Sequence, residues 1–429
     1  MNQIAAHADI RPVGALDRWL RARLLDQFAA LEGGALQLTD ALGTVTCGHA
    51  DAGAAPIRVQ VADPAFYRMI AASGTVGAGE AYMDGLWSCD DLVALVRLLV
   101  RNRALLDGLE SGLARAGGMA LRGWNAMRRN TRTGSRRNIA AHYDLGNDFF
   151  SLFLSPDLMY SSALFTGADD TLEAASTRKL DRICQTLELT PEDRVIEIGT
   201  GWGGFALHAA THYGCHVTTT TISQEQHALA SRRIAEAGLQ DRVTLLLQDY
   251  RDLEGTYDKL VSIEMIEAIG AQYLDTYFGK LGSLLAPHGA ALVQAITIED
   301  HRYVQARDSV DFIKRFIFPG SFIPSIAAML QAKTRASDLQ LEQLDDFGLS
   351  YARTLQIWRE RFMARRADVR AQGFDERFVR MWEFYLAYCE GGFRERSIGV
   401  AQLLLGKPGH RRVATPMLPG RVPARGVRS

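Results

Sequence analysis

Two glutamates three residues apart, Glu264 and Glu267 in SIEMIEAIG, directly follow a short apolar run. If the chain turns helical there, both lie near one face. Carboxylates rarely sit at the edge of a core without a partner. Two that neighbour each other repel, which raises one pKa and makes a better base for removing a proton. The second stretch with chemical content is VIEIGTGWGGF, where Gly199, Gly201 and Gly203 join a strand to a helix. Glycines at that junction let the backbone approach a ligand at the helix N-terminus.

The turn narrows the ligand. It lacks the Gly-Lys-Ser/Thr of a phosphate-binding loop. A dinucleotide site would show an acid about 20 residues on, at the end of the second strand. That position reads TTTTIS, so hydroxyls stand where the acid would be and nicotinamide is disfavoured. The pattern suits S-adenosylmethionine. Glu197 and the glycines lie under its amino-acid part, TIS lies at the ribose, and Gln248, Asp249 and Tyr250 lie at the adenine. Asp249 also reads as an acid that caps a turn.

The elements that would position these residues alternate. RVIEIG, HVTTTT, VTLLLQ, KLVSIE and AALVQAI read as strands, with FALHAATHY and SQEQHALASRRIAEAG as helices between them. This predicts an α/β fold with a doubly wound, mostly parallel sheet. Beyond residue 300 the chain reads as helical and aromatic. Ahead of the sheet, ALQLTD, TVTCG and IRVQVAD read as short strands, and PAFYRMIAA and DLVALVRLLV as helices. Leu16, Trp19, Leu20, Leu24, Phe28 and Leu31 form one helical stripe, read as packing on its own domain in preference to a membrane surface. The expected organisation is an α+β domain over 1–115, a basic linker over 116–142, a catalytic domain over 143–405 with a helical insertion near 300–395, and a disordered basic tail over 406–429.

Composition sets outer bounds. The chain has 429 residues, 47% hydrophobic and 23% charged, which fits a globular protein with a sizeable core. A net charge of −1 argues against nucleic acid as a partner. Yet residues 111–143 carry Arg115, Arg122, Arg128, Arg129, Arg132, Arg136 and Arg137 without one acid, and the tail is likewise acid-free and basic. Such segments suit phospholipid headgroups; they suit a solvated linker and tail as well. Five dispersed cysteines without metal-ligand spacing suggest a reduced, cytosolic protein. The N-terminal residues lack the apolar core of a secretory signal, and no run is apolar enough to span a membrane.

The stretch HYDLGNDFFSLFLSPDLMYSSALF, followed in order by IEIGTGWGGFALHAA, TISQEQ, QDYRDL, FIFPGSFIPS and RMWEFYLAYCEGGFR, resembles the cyclopropane-fatty-acid synthase family. GEAYMDGLWSCDDL is similar to its long bacterial members, and the likeness covers about residues 60–405. The resemblance implies a class I methyltransferase fold with a helical acyl-binding insertion. It also implies S-adenosylmethionine-dependent methylation of a cis double bond in a phospholipid acyl chain, at the inner face of the membrane. The alkene would attack the sulfonium methyl, and a base would then take a proton from the resulting carbocation. Aromatic faces suit that cation, which makes Tyr351, Phe318, Tyr385 and Cys389 candidates; for the aromatics other than Tyr351, ordinary core packing is the preferred reading. Tyr160 and Ser161 would close over the cofactor, and Gly199, Gly201, Thr221, Ile222, Gln226 and Tyr250 would line its pocket.

The family holds a bicarbonate ion as base, and the resemblance puts its ligands at Ser162, Glu267, Gln294, the backbone of Ile296 and Tyr351, with Cys389 nearby. Three positions depart from the family pattern: Ser162 stands in place of a Cys, Gln294 in place of a His, and Glu264 in place of a Gly. A glutamate carboxylate has the planar anionic shape of bicarbonate, so the expectation is that Glu264 replaces the ion. The alternative is that Glu264 only touches the charged end of the cofactor. Two other readings are a methyltransferase acting on a polar small molecule and a non-catalytic protein of the membrane surface. The sequence leaves monomer and homodimer open.

Overall fold

The computed structural model describes residues 13–49, 54–105, 134 and 145–412. The arginine-rich segment read as a linker therefore lies outside the described residues apart from Gly134, as does the tail from 413.

Seven strands form the larger sheet: β5 (Arg194–Ile198), β6 (His216–Thr221), β7 (Val243–Leu247), β8 (Tyr257–Ile263), β9 (Leu285–Ile298), β10 (Gln340–Asp346) and β11 (Ile398–Gly406). Their order is β10-β11-β9-β8-β5-β6-β7. β5 pairs parallel with both β6 and β8, so the chain leaves β5 on one side and returns on the other. The crevice at the carboxyl ends of strands around such a reversal is where ligands bind. β7 and β9 extend the parallel part, while β11 and β10 add an antiparallel edge. The expected parallel core is present, and the two antiparallel strands, β11 and the edge strand β10, are additional to it. QLEQLDD carries no apolar run, because β10 is an edge strand with much of its length exposed.

The smaller sheet has the order β2-β1-β3-β4, from β1 (Gly34–Asp40), β2 (Gly43–His49), β3 (Ile57–Val61) and β4 (Trp87–Cys89). The first helix, Ala15–Phe28, buries Leu24, and Leu31 behind it is also buried. The N-terminal end of its apolar stripe is not covered: Leu16 is 58% and Trp19 54% exposed.

This unit does not stand apart from the large sheet. Its helices Ala65–Met83 and Leu92–Arg101 pack on the long helix Glu376–Arg394, and the residues of both share one apolar core. The approach is close enough to require glycine. A Cβ on Gly391 would lie 2.6 Å from Val96, and one on Gly79 2.4 Å from Phe312. Polar contacts flank the seam. Tyr82 donates to Glu383 at 2.9 Å, Arg380 donates to the Trp87 carbonyl at 2.7 Å, and Arg97 pairs with Glu395 at 2.6 Å. Gly391→Leu should therefore force the two units apart and cost about 1–3 kcal/mol, the usual penalty of overpacking. Urea unfolding should show this as a lower midpoint; an unchanged midpoint would mean the seam yields without cost.

Candidate active site

The glycine turn follows β5 as expected. Gly199 and Gly201 both have positive φ, at 102° and 52°. A Cβ on Gly201 would meet nothing within 4 Å, because it would project into a cavity that Gly201 lines. Gly203 differs. It is absent from the cavity wall, and its φ of 87° and its closeness to Ala230 make it a glycine of helix entry and packing.

The cavity continues along the strand ends. Glu197, Thr221, Ile222, Gln226, Gln248, Asp249 and Tyr250 line it, together with Tyr160 and Ser161 from the preceding loop. Hydrogen bonds hold this wall in place. Thr219 donates to Glu197 at 2.6 Å, and Thr221 donates to the Gln226 carbonyl oxygen at 2.8 Å. Ser223 caps the helix Gln224–Glu236. Burial pushes Glu197 up to about 8, against the Thr219 bond and the charge of Lys179. Asp249 has the turn-capping geometry: it accepts from the Arg251 backbone and pairs with the Arg251 guanidinium at 2.6 Å. It thus lines the cavity with its carboxylate already engaged.

Beyond Glu264 the wall becomes apolar and aromatic, with Ile313, Phe318, Phe322, Leu355, Tyr385, Cys389 and Phe393. Phe318 has its ring 6.3 Å from Tyr160 and 6.1 Å from Tyr385, and the Tyr160 and Tyr385 hydroxyls are 3.0 Å apart. Tyr351 lies against Phe393 at 4.5 Å. The helix Glu376–Arg394 supplies Tyr385, Cys389 and Phe393, and the helix Gly348–Ala364 supplies Tyr351 and Leu355.

Glu264 sits where the two halves of the cavity meet. It follows β8 with φ of 50°, a left-handed conformation that glycine adopts far more readily. Three donors converge on its carboxylate. Oε1 accepts from the Ser162 backbone N–H at 3.0 Å and from Gln294 Nε2 at 2.8 Å, and Oε2 accepts from the Tyr351 hydroxyl at 2.7 Å. Ser162 and Gln294 are fully buried and lie behind Glu264, outside the cavity wall. The Ser162 hydroxyl itself donates to the Ala163 carbonyl. Gln402 of β11 donates to the Gln294 carbonyl oxygen at 3.0 Å, which turns the Gln294 amide so that its nitrogen faces Glu264.

Glu267 is held differently. Its Oε1 accepts from the Ile296 backbone N–H at 2.6 Å, while its buried Oε2 meets no partner among the described residues. Burial, reinforced by the neighbouring Glu264 charge, pushes Glu267 up to about 8. Burial also raises Glu264, but the three donors and the charge of Lys179 oppose it. Of the pair, Glu264 is therefore the one favoured as carboxylate and Glu267 the one that keeps a proton at neutral pH. Burial and the adjacent Glu264 raise the Tyr351 hydroxyl well above its ordinary range, so it stays a donor.

Two buried residues beside the site were not among those singled out from the sequence. Gln402 is a polar residue inside the apolar run VAQLLLG, a visible anomaly. Lys179 falls on the buried face of the helix Leu172–Thr186, in register with Leu172, Ala175, Ser176 and Ile183. A lysine on an apolar stripe was a legible signal.

A family model described as "Mycolic acid cyclopropane synthetase" matches residues 130–403, well over half the chain. The chain is 40% identical over 382 residues to the tuberculostearic acid methyltransferase UfaA1 of Mycobacterium tuberculosis, covering 87% of this chain and 88% of that protein. It is 38% identical over 363 residues to the cyclopropane-fatty-acyl-phospholipid synthase of Escherichia coli K12, covering 84% and 90%. Among solved structures it resembles the mycolic acid cyclopropane synthase CmaA1 complexed with SAH and CTAB. The TM-score is 0.59 and the identity 28%, over 63% of this chain and 98% of that one. The fold is thus that of the class I methyltransferases. The glycine cradle with room above it and the ordered hydroxyls at the second strand end fit the expected cofactor, S-adenosylmethionine.

Proposed function

Since the chain belongs to the mycolic acid cyclopropane synthetase family, a family of S-adenosylmethionine-dependent methyltransferases, we propose that it methylates the cis double bond of phospholipid acyl chains with Glu264 as the base. The observation that carries this reading is the triple-donor seat of Glu264, at the junction of the glycine-lined and aromatic halves of one cavity. S-Adenosylmethionine, when bound, supplies an electrophilic methyl group. Gly199, Gly201, Thr221, Ile222, Gln226 and Tyr250 would hold it, with Glu197 under its amino-acid end and Gln248 and Asp249 near the adenine.

The chain's own residues do the rest. An alkene is a weak nucleophile, so position and dryness matter more than acid catalysis. The aromatic half of the cavity excludes water and aligns the acyl chain. Tyr160, Phe318, Tyr351 and Tyr385 line the place where a carbocation would form on that chain, and aromatic faces suit that charge. Glu264 then accepts a proton from the cation, and Tyr351, Gln294 and the Ser162 amide fix which carbon its oxygens face. A proton taken from the new methyl closes a cyclopropane. If a hydride first shifts so that the cation lies on the methyl-bearing carbon, loss of a methyl proton leaves an exomethylene group, and loss of a proton from a neighbouring chain carbon leaves a methyl-branched alkene. Bicarbonate has no role in this scheme. Methyl transfer to vesicles of cis-unsaturated phospholipid, followed by mass spectrometry of the acyl chains, tests the proposal. Turnover with a polar small molecule but none with such vesicles would refute it.

The scheme places the enzyme at the bilayer surface, and the acid-free arginine segment is its proposed contact. No helix among the described residues is long and apolar enough to cross a membrane. Replacing Arg128, Arg129, Arg136 and Arg137 with Gln should weaken sedimentation with anionic vesicles at low salt, at about 1 kcal/mol per arginine near the surface. The difference should fade at high salt. Equal binding at low salt would show that these arginines do not meet lipid.

A further inference from the structure

We propose that Lys179 is a positioning residue of the base site: its ammonium is the counter-charge of Glu264, and its bond to Ser161 frees the Ser161 hydroxyl hydrogen to point into the cofactor cavity. This rests on the reading of Glu264 as base.

Lys179 is fully buried, with 0% exposure, and its Nζ makes one hydrogen bond among the described residues, to Ser161 Oγ at 2.9 Å. Burying an ammonium is costly, and an isolated one tends to lose its proton. It is tolerated where fixed negative charge stands around it. Burial pulls Lys179 down to about 8, and Glu264 after β8 and Asp157 in the loop ahead of its own helix oppose this; Glu197 in β5 also faces it but is itself pushed up to about 8 by burial. Asp157 is already served by Ser155, Ser176 and the Met159 backbone, and Glu197 by Thr219. Glu264 in turn faces Lys179, Glu267 and Tyr351, with Cys389, Tyr385 and Tyr160 behind Tyr351. Among these, Lys179 is the cation.

Connectivity makes the coupling specific. Ser161 accepts from Lys179, and the next residue, Ser162, donates its backbone N–H to Glu264. One dipeptide therefore links the ammonium to the carboxylate. Because the Ser161 oxygen accepts from Lys179, its own hydrogen is available to an acceptor in the cavity that Ser161 lines. Lys179 thus sets both the charge of the base and the direction of a donor.

The test compares pH–rate profiles of wild type, Lys179→Met and Lys179→Arg in the full chain. Without the cation Glu264 binds its proton more tightly. The acid limb of Lys179→Met should therefore move up by about 1 pH unit or more, the usual effect of an opposite charge nearby, while Lys179→Arg keeps the limb in place. A Lys179→Met profile lowered at every pH but not displaced would overturn the proposal. A second readout needs no turnover. Lys179→Met should lower the thermal midpoint more in wild type than in a Glu264→Gln background, where no carboxylate is left unpaired. Equal losses would overturn the coupling. Should Lys179→Met alone fail to fold, recovery of folding in the double variant supports the proposal and no recovery refutes it. If wild type transfers no methyl to unsaturated phospholipid, the functional reading falls, and the thermal cycle still decides the role of Lys179.

Discussion

Glu264→Gln should lower methyl transfer by about 10²–10⁴-fold, the range a general base contributes, while S-adenosylmethionine still binds. The change keeps side-chain shape but removes the acceptor. It also presents an NH₂ group to a seat built from three donors, the Ser162 amide, Gln294 and Tyr351. The Tyr351 hydroxyl can turn to accept from that NH₂, so the amide keeps its seat but is inert as a base. In the same assay, wild type should be indifferent to rigorous removal of carbon dioxide and bicarbonate. Glu264→Gly should show at most partial rescue by added bicarbonate, because Ser162 and Gln294 differ from the residues that hold the ion in the family. Activity should fall as pH drops through the raised Glu264 range, where the base becomes protonated. A bicarbonate-dependent wild type, together with a fully active Glu264→Gln, would reduce Glu264 to a neighbour of the cofactor.

Gly201→Val should abolish S-adenosylmethionine binding, with a loss of affinity of 100-fold or more by calorimetry (about 2.7 kcal/mol). Nothing in the protein obstructs a side chain at this position, so the obstruction is to the ligand. A branched residue at φ of 52° also strains the turn, so circular dichroism must show that the fold survives. Unchanged affinity in a folded variant would place the cofactor elsewhere.

Part of this site is legible in the amino-acid sequence alone. The glycine turn, the hydroxyls of TTTTIS and the pair Glu264/Glu267 are local patterns, because a strand, its turn and its following helix are contiguous in sequence. What holds Glu264 is not local. Gln294 and Gln402 face each other across the β9–β11 register, 108 residues apart, and the sequence of β11 is hard to tell from the helices around it. Ser162 belongs to the expected ion ligands by its position, but it acts on Glu264 through its backbone, which any residue type supplies. Gly203 resembles its two neighbours in type, and only the path of the chain separates a packing glycine from a lining one. Lys179 needs a third element, since its burial becomes meaningful once the carboxylates around it are known.

The seam at Gly391 bears on how this enzyme can be shortened. The solved synthase it resembles corresponds to only 63% of the chain, which invites trimming the N-terminal unit to obtain a compact catalyst. Here the helix Glu376–Arg394 has two occupations. One side carries Phe384 and Gly391 against the N-terminal helices, and another carries Tyr385 and Cys389 into the cavity. Excision would uncover apolar surface on one side and release the wall of the acyl chamber on the other. A truncated enzyme would aggregate through the bared helix, and any soluble fraction would lose discrimination among acyl chains before it lost the cofactor.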